Sequence, residues 1–281
     1  APLAQIANLF GRENNAKTSY KRLASFMEET QEDDVSEKNK GAIRREKLGS
    51  IEFKDTTYRY PEADLDTLRS INLSVNEGEK VAILGRNGSG KSTLMKLASG
   101  LFKASDGLVM YDGVDIKQLH TDDLSKSIGI VLQDVQLFSG SIRENITMGR
   151  EDINQDDLIN AGKLSGLDDF VSKIPGGYDL QLSDGGKGLS GGQRQSIALA
   201  RAIVHKPTHF ILDEPTSAMD MNAENIFISQ MGSIMQDSTM LIVTHRMPLL
   251  NLVDRIIVMN EGQIVEDGPK EEIINKLNQP S

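Results

Sequence analysis

Residues 85–92 read Gly-Arg-Asn-Gly-Ser-Gly-Lys-Ser, the spacing Gly-x-x-x-x-Gly-Lys-Ser of a phosphate-binding loop. The residue types dictate the chemistry. Gly85, Gly88 and Gly90 let backbone N–H groups turn inward toward an anion, and Arg86, Asn87, Ser89 and Thr93 complete the loop and its exit. The run that follows is helix-forming, so the helix N-terminus adds positive potential. Lys91 would reach β- and γ-phosphates and the Ser92 hydroxyl would ligate Mg²⁺. Further on, Phe210-Ile-Leu-Asp-Glu214 is an apolar run ending in two carboxylates and stopped by Pro215. Asp213 would hold Mg²⁺ opposite Ser92, and Glu214 would polarise an attacking water as general base. In isolation Asp-Glu-Pro-Thr also reads as an acidic turn; the phosphate loop favours the metal-binding reading.

A third segment, Leu189-Ser-Gly-Gly-Gln193, opens a helical run. Ser190 and Gln193 have the spacing of a capping box. Gly191 and Gly192 inside a first turn cost helix stability, and fit there if exposed amides must approach a second anion closely. One loop already supplies one nucleotide site, so a second glycine-rich helix start implies two chains sharing each nucleotide.

These residues need elements to position them. Short apolar runs at 80–84, 128–132, 210–212 and 240–244 read as buried strands, with helical patterns between them. Runs at 51–55 and 71–75 alternate as half-buried strands. Strands alternating with helices imply an α/β domain with a mostly parallel sheet, whose ligands collect at the carboxyl ends of the strands. Gly85, Gln133, Asp213-Glu214 and His245 all fall there. Residues from about 134 to 206 lack such runs and read as a mostly helical subdomain inserted between sheet strands. Ahead of the domain, which starts near Gly49, residues 3–27 carry apolar side chains at helical steps and residues 28–47 form a polar, charged linker.

Composition sets the outer bounds. The 281 residues carry a formal net charge of −10, which argues against a general nucleic-acid binder. With no cysteine there is no disulfide, thiolate metal site or cysteine nucleophile. No apolar run reaches the length of a membrane span, and no signal-peptide pattern is present. The start at Ala1 rather than Met fits a piece of something longer.

The pentapeptide at 189–193, taken with the two motifs above, resembles the signature of the nucleotide-binding domains of ATP-binding cassette transporters, over about residues 51–277. The resemblance implies an α/β fold: a P-loop NTPase (RecA-like) core with an antiparallel β subdomain and an inserted helical subdomain. It implies ATP and Mg²⁺ as ligands, and further roles. Tyr60 resembles the aromatic that stacks on adenine. Gln133 resembles the Q-loop residue that touches Mg²⁺ and the attacking water. Asp220, in Ser217-Ala-Met-Asp220, belongs to the loop that crosses between subunits. His245 resembles the switch histidine at the γ-phosphate. Ser190, Gly191, Gly192 and Gln193 would close on ATP held by a second copy, in an ATP-dependent head-to-tail homodimer.

Residues 136–146 are similar to exporters in which membrane and nucleotide domains share one chain. The segments at 216–220, 244–254 and 266–269 are similar to bacterial type I secretion ATPases. On that resemblance residues 1–30 are the cytoplasmic extension of a preceding transmembrane helix, 31–48 a linker and 49–279 the nucleotide-binding domain. The expected setting is the cytoplasmic face of a bacterial inner membrane. The expected partners are the chain's own transmembrane domain, a periplasmic adaptor and an outer-membrane channel, with a large repeat-in-toxin protein as cargo. Asp184 and Met219 depart from the commoner Glu and Leu of exporters. Export of a lipid, peptide or drug stays open, as do a soluble ATPase of repair or translation and a GTP-binding or non-hydrolysing module.

Overall fold

The computed structural model describes residues 39–61 and 63–277. The extension expected at residues 1–30, and the expected linker as far as residue 38, lie outside the described residues. In chain order the elements begin with β1 (Ile51–Tyr58), β2 (Leu68–Val75), β3 (Lys80–Gly85) and α1 (Lys91–Ala98). Next come β4 (Asp106–Tyr111), β5 (Val114–Asp115), α2 (Thr121–Ser127) and β6 (Ile128–Val131). A section richer in helix then runs through β7 (Gly140–Ser141), α3 (Ile142–Thr147), α4 (Gln155–Leu164), α5 (Asp168–Val171), β8 (Gln181–Leu182) and α6 (Gly191–Ile203). The chain continues with β9 (His209–Asp213), α7 (Met221–Ile234), β10 (Thr239–Val243), β11 (Arg255–Asn260), β12 (Gln263–Pro269) and α8 (Lys270–Leu277).

Six strands form the main sheet in the order β12-β11-β3-β10-β9-β6. All its pairings are parallel except β11 with β12, which is antiparallel. A second sheet, β2-β1-β4-β5, is antiparallel throughout. The alternation of side chains along each strand divides the core in two. On β3, Val81 and Ile83 face a cluster with Leu94 and Leu97 of α1 and with Ile51, Phe53 and Tyr111 of the antiparallel sheet. Ala82, with Leu212, Ile242 and Ile256 of neighbouring strands, faces the opposite cluster, built with Ile146, Leu158, Ile197 and Phe227 of the helices. Both faces of β3, β9 and β10 are therefore dry, which is why their sequences read as unbroken apolar runs.

The strands expected from apolar runs are all present. Four further strands, β4, β5, β11 and β12, and the short β7–β8 pair lie outside the runs read as strands from the sequence. β11 opens on Arg255, whose guanidinium is tied to Asp267 by bonds of 2.6 Å and to Glu79 at 3.0 Å. These partners hold the Arg255 guanidinium above its usual basicity. A strand end of that kind does not read as buried.

Candidate functional site

The phosphate loop forms because β3 ends in glycine. A Cβ on Gly85 would lie 2.3 Å from the carbonyl oxygen of Met259, on the neighbouring strand β11. That approach, with φ at +152°, admits no larger residue. The β11–β12 turn braces the loop from behind. Gly262 N donates to Ser89 O at 3.1 Å and Gly262 O accepts from Arg69 N at 2.9 Å. The Lys91 ammonium donates to the carbonyls of Gly85 and Arg86, at 2.9 Å each, folding back across the loop mouth.

Around this loop lies a cavity of 570 Å³, the size of a nucleotide pocket. Asn87, Gly88, Gly90, Lys91, Ser92 and Thr93 line it, and Tyr60, Gln133, Asp213, Glu214, Ser217 and His245 are among the others. The carboxyl ends of β3, β9 and β10, with the residues just past β6, thus deliver their polar groups to one place. Tyr60 stands edge-on to Tyr58 and Phe102, at centroid distances of 5.1 and 5.7 Å. Its hydroxyl is 3.1 Å from Thr93 Oγ1. The ring is thereby fixed at the cavity rim with a base-sized aromatic surface.

Asp213 is 3% exposed, and its Oδ1 has no hydrogen-bond partner. Burial pushes its carboxyl up from the ordinary aspartate range, and Glu214 pushes it further; a hydrogen bond from Ser92 pulls the other way. A hydroxyl beside a buried carboxylate with an oxygen left over is the hard donor set that suits Mg²⁺.

Glu214 has φ near +50°, a left-handed backbone that costs a non-glycine residue roughly 1–3 kcal/mol and persists only where surroundings impose it. Here they do. Its N–H donates to Val243 O at 2.9 Å, and its carbonyl accepts from Ser217 N at 3.1 Å and from Gln195 Nε2 at 3.2 Å. The side-chain Oε1 lies 2.8 Å from His245 Nδ1. Arg246 continues the brace: its guanidinium is 3.0 Å from Glu224 Oε1, which also accepts from Thr216 Oγ1 at 2.7 Å.

Ser190, Gly191, Gly192 and Gln193 do not line this cavity, and neither does Asp220. Ser190 and Gln193 make the capping box read from the sequence: Gln193 N donates to Ser190 Oγ at 3.2 Å and Ser190 N to Gln193 Oε1 at 2.8 Å. Asp220 caps α7 through Ala223 N. Gly191 has a packing reason that the sequence did not reveal: a Cβ there would come within 2.9 Å of Ala218 Cβ. Thr67 and Val243 also line the cavity. Neither carries a motif that would have marked it.

A phosphate loop after β3 and a carboxylate pair at the end of β9, with β10 between them in one parallel sheet, define a P-loop NTPase. Residues 68–217 match the family model described as ABC transporter, and the chain belongs to that family as an ATP-binding ATPase domain. It is 37% identical to the cyclolysin secretion/processing ATP-binding protein CyaB of Bordetella pertussis, over 97% of this chain and 38% of that protein. It is 38% identical to the leukotoxin translocation ATP-binding protein LktB of Mannheimia haemolytica, over 99% of this chain and 39% of that protein. The chain thus spans about two fifths of the length of these curated relatives. Among solved structures, a bacterial Atm1-family ABC exporter with ATP bound superposes with a TM-score of 0.76 at 31% identity, covering 82% of this chain and 40% of that one. Among the described residues no helix is long and apolar enough to cross a membrane.

Proposed function

We propose that this chain hydrolyses ATP to drive a membrane exporter, at a site shared between two copies. Tyr60 stacks on the adenine, the amides of residues 86–93 and Lys91 hold the phosphates, and Ser92, Gln133 and Asp213 would hold Mg²⁺. When bound, that ion neutralises charge developing on the phosphate oxygens. Glu214 takes the proton of the attacking water, and His245, bonded to Glu214, orients it and contacts the γ-phosphate. Ser190–Gln193 of one copy close on the γ-phosphate held by the other, and Asp220 lies at the crossing. The observation that carries this reading is the convergence of Lys91, Asp213, Glu214 and His245 on one cavity. The two-copy part is supported by the position of Ser190–Gln193 away from that cavity.

The relatives named for secretion of cyclolysin and translocation of leukotoxin support type I secretion of a large protein as the whole protein's task. Its partners would be its own transmembrane domain, a periplasmic adaptor and an outer-membrane channel, with this domain on the cytoplasmic face of the inner membrane. In this reading residues 1–30 continue a transmembrane helix and 31–48 link it to the domain.

The test is size-exclusion chromatography of Glu214→Gln with and without MgATP. A shift from monomer to dimer only with MgATP supports the shared site. A monomer in both conditions, with ATP binding confirmed by equilibrium dialysis, overturns it.

A further inference from the structure

Gln195 lies one turn into α6, is 2% exposed, and is not among the residues lining the nucleotide cavity. A buried amide must satisfy both its ends. Gln195 does so on one loop: Nε2 donates to the carbonyl of Glu214 at 3.2 Å, and Oε1 accepts from Ala218 N at 3.2 Å. The same loop touches the same helix a second time, where Ala218 packs over Gly191. So residues 214–218 are hung from α6 at two points, by hydrogen bonds and by close packing. The first of those hydrogen bonds ends on the left-handed residue that carries the general base. The other backbone supports on Glu214 come from β10 and from the loop itself. Among the described residues, Gln195 makes the one hydrogen bond from α6 to Glu214.

We infer that Gln195 is a positioning residue: it fixes the backbone of Glu214 to the helix that begins at Ser190, so that the base and the helix start of one chain move as one body. This rests on the assignment of Glu214 as base given above. In the shared-site arrangement, closure of Ser190 on the neighbour's ATP would thereby set the angle of Glu214 toward the chain's own ATP. Without the Nε2–H donor, Glu214 keeps its side chain and its contact with His245 but is free to relax out of the left-handed conformation. ATP binding, made by the phosphate loop and Tyr60, is left alone.

The experiment is steady-state MgATP hydrolysis by the 281-residue chain and by Gln195→Leu and Gln195→Glu, with melting temperatures measured alongside. Gln195→Leu removes both bonds at similar volume. Gln195→Glu keeps the acceptor for Ala218 N and loses the amide donor, which a protonated carboxyl can replace. We expect kcat to fall about tenfold or more in Gln195→Leu with KM for ATP within about twofold of the parent. In Gln195→Glu we expect kcat relative to the parent to fall as pH rises, because the donor is lost on ionisation. The proposal is overturned if kcat stays within about twofold in both variants at every pH. A kcat loss that comes only with raised KM and a lowered melting temperature in both variants overturns it too, since that is lost packing rather than misplaced catalysis. Glu214→Gln in the same assay separates the two readings. If it hydrolyses ATP like the parent, the role of Glu214 fails; if it is inactive while the Gln195 variants are normal, only the present inference fails.

Discussion

Glu214 Oε1 and His245 Nδ1 stand 2.8 Å apart, joining the ends of β9 and β10 across the mouth of the cavity. His245 reaches in from an exposed position while Glu214 is largely covered. The carboxylate orients the imidazole as much as the imidazole orients it. Glu214→Gln retains a hydrogen-bonding group for His245 but removes the proposed proton acceptor. Its ATPase rate should fall about 100-fold or more, the range for losing a general base, while ATP affinity stays within a few-fold. Single-turnover hydrolysis and equilibrium binding of ATP check this, and a normal rate sinks the assignment.

Asp213→Asn should raise the melting temperature in the absence of divalent cations. The sign follows from the raised carboxyl. The folded state holds its proton more tightly than the unfolded one, so stability falls as pH climbs from the unfolded value of 3.8 through the raised folded value. Above the raised folded value the whole penalty is present. The asparagine removes it and can still accept from Ser92. The same variant should lose the extra stabilisation that Mg²⁺ gives the ATP complex. Differential scanning fluorimetry with EDTA, then with ATP and Mg²⁺, tests both halves. A lower melting temperature with EDTA would contradict the burial argument.

Burial of His209 makes the fold sensitive to acid. It is 1% exposed, with Nε2 2.6 Å from Gly49 O and Nδ1 2.9 Å from Thr208 Oγ1. Burial lowers its basicity against the opposing pull of Gly49 O and Asp112. Below the unfolded value of 6.5 the unfolded chain takes up a proton that the folded one refuses. Stability present above that pH is therefore lost as pH falls, with a slope of up to about 1.4 kcal/mol per pH unit. His205 shifts in the same direction, chiefly by burial. Denaturant unfolding between pH 7.5 and 5.5 should show this slope, and His209→Gln should flatten it. An equal slope in the variant would place the sensitivity elsewhere.

Two glycines of the phosphate loop separate strain from collision. Gly88 has φ near +81° but open space where a Cβ would go. Gly85 adds a 2.3 Å encounter with the Met259 carbonyl. Gly88→Ala should cost about 1–2 kcal/mol from the left-handed backbone alone. Gly85→Ala should cost clearly more, because backbone cannot swing aside as a flexible side chain can. Unfolding in urea without nucleotide ranks them, and equal costs would refute the distinction.

The parallel strands were legible because a strand dry on both faces can only be an apolar run, as at 210–212 and 240–244. The convergence of polar groups at their ends was legible because a phosphate loop fixes residue types at fixed steps. β12 escaped because Gln263–Pro269 exposes half its residues on an edge. β4 escaped because it opens on Asp106 and Gly107, which read as a turn. Gln195 was invisible for another reason. A glutamine in a helix reads as a solvated position unless something distant claims both its ends, and Glu214 and Ala218 are distant in sequence. The reason for Gly191 was half legible: its cost to the helix was plain, but the seat it leaves for Ala218 needed the fold.

The neighbours of β3 have a consequence for how the chain matures on the ribosome. Val81 pairs with Leu241 on one side and lies beside Arg255 on the other. A nascent chain that has emerged as far as residue 217, where the family match ends, already holds the phosphate loop and both carboxylates. It has neither strand that flanks β3, nor the Gly262 turn that supports Ser89. Closing such distant pairings is slow, and until they close an apolar strand is left with two open edges, the form most prone to aggregate or to be held by chaperones. Competence to bind ATP therefore arrives with β10 and β11 rather than with the motif that gives it.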